Sequence, residues 1–144
     1  MNTNPRAVAV ADARYLMRLA FRMIDDEARR AGVEPLEHQL LVQLQGSRDG
    51  TRSVSELAVR LDVSLALSSR LAARLERREL VVRIPSSADR RVTLIRATAA
   101  GNDVVHTVSA AVQRRFRHLR AEFSPQMRQA ALTVWANNFG VRPS

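Results

Sequence analysis

"SVSELAVRLDVSLALSSRLAARLERR", residues 53–78, is the stretch on which the fold turns. Ser53 is followed three residues later by Glu56, a spacing at which hydroxyl and carboxylate each accept a backbone N–H that the first helical turn leaves unpaired. Leu57, Ala58 and Leu61 give that helix one apolar face. Only Asp62 and Val63 intervene before Ser64 caps a second helix, which the one-turn spacing of Leu71 and Leu75 carries to about Arg78. Two short helices joined this tightly predict a helix-turn-helix.

In that motif the second helix enters a major groove and its N-terminal residues reach base edges. With Leu71 and Leu75 turned inward, Ser64, Leu65, Ala66, Ser69 and Arg70 fall on the outward side of the first turns. Ser69 and Arg70 carry hydrogen-bonding groups for bases or phosphates, while Leu65 and Ala66 suit thymine methyl groups. Arg74, Arg77 and Arg78, further along, are expected to neutralise phosphates, contacts that set register without reading sequence.

Beyond this helix the apolar period changes from about 3.6 to 2. Residues 80–84 and 92–97 read as strands, and "PSSADRR" between them is a long polar hairpin tip, so the segment predicts a β-wing. A wing beside a helix-turn-helix lies over the flanking minor groove, whose negative potential attracts arginine. Asp89 stands two residues before Arg91 and can accept a charge-assisted hydrogen bond that aims its guanidinium. Arg91 is then the groove probe, and Arg90 serves phosphate.

The flanks are helical. Apolar residues from Val8 to Ala31 recur at helical spacing, Gly32 stops that helix, and Pro35 opens a second, "PLEHQLLVQLQG". Thr98 is a plausible N-cap for a long helix carrying Val105, Val108, Val112, Phe116, Leu119 and Phe123, and Ser124 with Pro125 opens a last one. This stripe is longer than one small winged domain can cover, so a second copy of the chain is expected to share it. The expected architecture is mainly α with a small β-wing. Residues 1–144 form one subunit, with 35–98 as the DNA-binding region and 8–34 and 99–144 as dimerisation helices.

Composition narrows the function. The chain of 144 residues carries a formal charge of +9, and all 23 of its basic side chains are arginine. Arginine's planar fork matches phosphate oxygens and guanine edges, so the surface favours duplex nucleic acid. There is no cysteine, hence no disulfide or thiolate chemistry, and no apolar run of the ~20 residues that span a bilayer; a cytoplasmic location without membrane contact is expected. His38, His106 and His118 show no ligand spacing, and no nucleophile elbow or Gly-rich phosphate loop occurs. Neither metal, cofactor nor enzymatic activity is expected. The alternative to a sequence-specific regulator is a non-specific, arginine-rich architectural protein that uses the fold only for charge.

Taken together, "SELAVRLDVS", "SR" at 69–70, "RLERRELV" at 74–81, "ADRR" at 88–91 and "ATAAG" at 97–101 resemble the multiple antibiotic resistance regulator (MarR) family of winged helix-turn-helix transcription factors. The resemblance implies a homodimer on pseudo-palindromic operators, often a repressor released by a small aromatic or phenolic ligand. By matching position, Tyr15, Arg18 and His38 would contact such a ligand; His38 also reads as a hydrogen-bonded structural histidine. Three residues depart from the family pattern. Glu79 stands where glycine is usual after the recognition helix, Ser68 takes a usually apolar position and is expected to loosen packing, and Ala97 replaces a common leucine.

Overall fold

The structure, a computed structural model, describes residues 4–141. Residues 1–3 and 142–144, the ends of the subunit and of its expected C-terminal dimerisation region, lie outside the described residues. In chain order the elements are α1 (Pro5–Arg30), α2 (Pro35–Gln45), β1 (Thr51–Ser53), α3 (Val54–Leu61), α4 (Leu65–Arg77), β2 (Val81–Pro85), β3 (Thr93–Ala97), α5 (Ala99–Glu122) and α6 (Pro125–Asn138). They divide into two compact units, one of residues 25–110 and one of residues up to 24 together with those from 111 onward.

The first unit is the winged helix-turn-helix. Leu40, Leu41 and Leu44 of α2, Leu57 of α3, Leu71 and Leu75 of α4, Leu80, Val81, Ile95 and Val105 form one buried cluster. At about 1.5–3 kcal/mol for each large side chain withdrawn from water, this cluster holds the three short helices that could not persist alone. The sheet is antiparallel in the order β1-β3-β2, with Thr51 opposite Arg96 and Val81 opposite Ala97. β1 has no strand signal of its own in the sequence. Three residues are too few for periodicity to show, and they become a strand only because β3 offers them a ladder.

Three helix ends in this unit, those of α1, α3 and α4, are followed by a left-handed residue. After α1, Gly32 at φ 86° lets the Val33 N–H reach Ala28 O. After α3, Asp62 at φ 54° does the same for Val63 and Ala58, closing the turn of the helix-turn-helix. After α4, Glu79 sits at φ 58°, with its N–H on Glu76 O and the Leu80 N–H on Leu75 O. These pairs of bonds satisfy carbonyls that a helix end would otherwise orphan. The Glu79 backbone adopts the conformation a glycine would take at no steric cost, at a cost for an L-residue of about 1–2 kcal/mol.

What holds Glu79 there is the start of α5. Thr98 Oγ1 donates to Glu79 O at 2.7 Å and accepts from Gly101 N at 3.1 Å, and Thr98 N donates to Leu80 O at 3.0 Å. Gly101 packs directly on the Leu80 carbonyl, so a Cβ at 101 would overlap that oxygen.

The second unit comprises the N-terminal part of α1, the C-terminal part of α5, and α6, which Ser124 caps by accepting from Met127 N at 3.1 Å. Among its described apolar residues only Ala13, Met23 and Ala131 are buried, while Phe21, Phe116 and Leu132 are exposed. An open groove of about 480 Å³ runs between Leu16, Met17, Ala20, Leu119, Phe123 and Trp135.

Two substitutions test the junction by denaturant unfolding. Glu79→Gly should raise stability by about 0.5–1 kcal/mol, the relief of the left-handed strain less the entropy of glycine. Gly101→Ala should lower it by about 1–3 kcal/mol or more by overpacking. Equal or opposite effects would show that the junction is not strained as described.

Candidate nucleic-acid interface

The two helices of the central motif are set by their caps. Ser53 Oγ accepts from Glu56 N at 3.1 Å while Glu56 Oε2 accepts from Ser53 N at 2.7 Å, and Ser64 Oγ accepts from Leu67 N at 3.1 Å. Ser64, expected at DNA, therefore uses its oxygen as a cap. Ser68 does not loosen the packing as expected: it is fully buried and its hydroxyl donates to Val54 O at 2.9 Å, pinning α4 to the start of α3. A satisfied buried hydroxyl carries no desolvation penalty of the unpaired kind. Sequence alone hid this because the partner carbonyl lies fourteen residues away.

With Leu71, Ala72 and Leu75 buried, the opposite face of α4 carries Leu65, Ala66, Ser69, Arg70 and Arg77, all exposed. Leu65 is 57% exposed at the first residue of the helix, an apolar side chain in water with no partner in the core. Arg74 and Arg78, both expected at phosphate, are each engaged within the unit. Arg74 forms an ion pair with Glu37, its Nε 3.1 Å from Oε1. Arg78 reaches the other oxygen of the same carboxylate at 3.4 Å and gives a second hydrogen bond, at 2.6 Å, to Gly32 O. Glu37 was not singled out in the sequence; its one signal is its place as the acidic third residue of a helix opened by Pro35.

The wing is tied to α4 by Arg83, whose Nε lies 3.3 Å from Glu76 Oε1. At its tip, Ser86 Oγ accepts from the N–H groups of Ala88 at 3.2 Å and Asp89 at 3.3 Å. Asp89 Oδ1 accepts from Arg91 N at 3.0 Å and from Arg91 Nε at 3.3 Å, with Nη2 3.5 Å from Oδ2. The backbone bond, then the side-chain bond, from Arg91 hold the Asp89 carboxyl below the usual carboxylate range. The pairing expected between these residues is thus present, and the Arg91 side chain is still 91% exposed. Arg90 beside it is exposed as well.

The residues expected at a ligand are placed as follows. Tyr15 is half exposed, its ring edge-on to Phe123 at 6.1 Å, and Arg18 is exposed; both lie in the unit built from the chain ends. His38 lies in the winged unit, only 4% exposed, and neither ring nitrogen has a hydrogen-bond partner. It is not the satisfied structural histidine that its position also allowed. Burial pushes its pKa down, opposed in part by Asp25, so the ring is neutral at neutral pH. Among the described residues no group of three or more His, Cys, Asp and Glu is arranged to hold a metal, and no helix is long and apolar enough to cross a membrane.

Comparison with known proteins bears on this arrangement. Residues 31–92, from the end of α1 to the wing, match the MarR family. The chain is 28% identical over 128 residues to the HTH-type transcriptional regulator YxaD of Bacillus subtilis (strain 168), covering 89% of this chain and 88% of that protein. In fold it is similar to RV1404 from Mycobacterium tuberculosis, with a TM-score of 0.76, 22% identity and 99% of each chain covered. It is also similar to a mutant MarR from E. coli complexed with operator DNA, with a TM-score of 0.69 and 17% identity over 86% of this chain and 88% of the other.

Proposed function

We propose that this chain, whose residues 31–92 match the MarR family, is a sequence-specific, DNA-binding transcriptional regulator of that family, acting as a homodimer in the cytoplasm and not an enzyme. The observation that carries this reading is the wing tip. A fully exposed guanidinium held in direction by its own neighbour's carboxylate is suited to entering a groove, and a merely solvated charge needs no such clamp. On α4, Leu65, Ala66, Ser69 and Arg70 are the proposed base-reading face, with Ser64, Arg77 and Arg90 at the backbone and Asp89 aiming Arg91. The proposed dimer is supported by the open apolar groove and the exposed Phe21, Phe116 and Leu132 of the terminal unit, which water leaves unsatisfied and a second copy would cover.

Selection of bound sequences from random duplexes tests the reading directly. The expected product is an inverted repeat with half-site centres about 10 bp apart, bound at least ~10³-fold more tightly than random DNA. Comparable binding to every duplex, or protection of one half-site only, would refute it.

The wing makes a sharper claim. Arg91→Ala should weaken operator binding by about 1–3 kcal/mol, most on operators with A·T-rich flanks. Asp89→Ala should weaken it in the same direction although it removes a negative charge, because the free guanidinium loses its aim. Tighter binding by Asp89→Ala would reduce the wing to a charged flap.

We further propose that the regulator represses and that a small aromatic acid lifts repression. His38 supports this: a buried imidazole with both nitrogens unpartnered is a polar group awaiting a hydrogen bond. Titration with salicylate should raise the melting temperature and release the operator, and His38→Ala should abolish both responses. Responses that survive the substitution would place the ligand elsewhere.

A further inference from the structure

The recognition helix carries more positive charge than it offers. Arg70, Arg74, Arg77 and Arg78 follow at steps of four, three and one residues along one side of α4, where side chains three and four apart are neighbours. Yet Arg74 and Arg78 both turn to Glu37, whose side chain is 2% exposed while theirs are 50% and 46% exposed. The carboxylate also accepts from Glu34 N at 3.1 Å, so both its oxygens are engaged, from α4 with the residue that follows it and from the turn before α2. A buried carboxylate holds its counter-charges tightly, because releasing one would leave it uncompensated away from water. The two guanidinium groups are therefore directed inward, while Arg70 and Arg77 are left to solvent.

We propose that Glu37 is a positioning residue that sets sequence discrimination by withholding Arg74 and Arg78 from the phosphate backbone. This rests on the DNA-binding reading above. Phosphate contacts add affinity for every duplex, and base contacts only for the right one. On an operator the register is fixed by the bases, so a freed arginine gains only what that register offers. On random DNA the protein slides to whatever register pairs most phosphates, and a freed arginine gains more. Tying two of four helix arginines to a buried acid thus lowers the non-specific background against which the operator must compete. The same tie seats the C-terminal turn of α4 on α2 and on the Gly32 carbonyl, which fixes the angle at which the helix presents its N-terminal face.

The experiment uses the full chain and measures affinity for the selected operator and for a random duplex across a series of salt concentrations. Glu37→Gln keeps the shape and an acceptor for Glu34 N but removes the charge. It should steepen the salt slope for random DNA by about one to two, tighten random binding about tenfold at low salt, and cut the operator-to-random ratio about tenfold. A purely structural role would weaken both duplexes and leave the slope alone, which would overturn the proposal. Arg74→Gln in the otherwise native chain, where Arg78 still serves Glu37, gives an answer that does not depend on the folding of the first variant. Its salt slope should match the native protein's, and a slope shallower by about 0.9 would make Arg74 a phosphate contact and overturn the proposal. A native chain that binds no duplex would sink the DNA-binding reading and this inference with it. Native binding combined with an unchanged Glu37→Gln slope would sink the inference alone.

Discussion

A carboxylate withdrawn from water governs the winged unit. Burying an ionised Glu37 costs several kcal/mol unless its oxygens are met by charge and hydrogen bonds. Meeting them requires α2, the turn at Gly32 and the last turns of α4 to stand in one arrangement, since Arg74, Arg78 and the Glu34 N–H must converge on the same two oxygens. The leucines shared by α2 and α4 supply most of the favourable energy, but apolar contacts are non-directional and tolerate slips of a helix along its neighbour. The buried ion pairs add little net stability and much geometry. They determine where the helix lies, and the core determines that it stays there.

The chain reversals obey a similar division. Gly32, Asp62 and Glu79 all adopt the left-handed conformation that closes a helix, and they are progressively less suited to it. Glycine takes it without penalty, aspartate is among the more tolerant L-residues, and glutamate has no such latitude. Glu79 is held because its surroundings over-determine it: two bonds close the end of α4, Thr98 binds its carbonyl, and Gly101 lets α5 settle against Leu80. Local strain persists where several independent contacts would have to break together to release it. That Gly101 lies twenty-two residues beyond the strained position explains why neither residue announces the arrangement by itself.

Most of the fold was legible because its signals are local. Ser53 with Glu56, Ser64, Thr98 and Ser124 cap helices through atoms within three residues of themselves, and the change of apolar period at residue 80 exposes the wing. The features that escaped are those whose partners are remote. β1 exists only against β3, the Ser68 hydroxyl only becomes harmless beside Val54, and Glu37 reads as an ordinary surface acid until α4 is laid over it. The partner of Arg74 was hidden for the same reason: a charge on an amphipathic helix looks solvated when the acid paired with it lies thirty-seven residues upstream. His38 is the reverse case, a side chain whose position suggested a partner that the fold does not supply.

Two of the acids that meet arginines in this unit, Glu37 and Asp89, do so with opposite consequences, and the difference follows their exposure. Glu37 is buried, so its pairs with Arg74 and Arg78 are strong, drawn inward and removed from use. Asp89 lies in the exposed wing tip, where water screens the attraction and a competing polyanion can share the guanidinium without displacing the acid. The shallow pair orients Arg91 while leaving its outer N–H groups open, and the backbone bond from Arg91 N keeps the carboxylate in place whether or not the side chain is engaged. A net charge of +9 therefore overstates what the protein offers a phosphate and understates how it is organised. Arginines on the same small unit are sorted by the depth of the acid beside them into those that hold the helix and those that face outward. On the proposed reading, discrimination between duplexes then depends on how few of the many positive charges are left free.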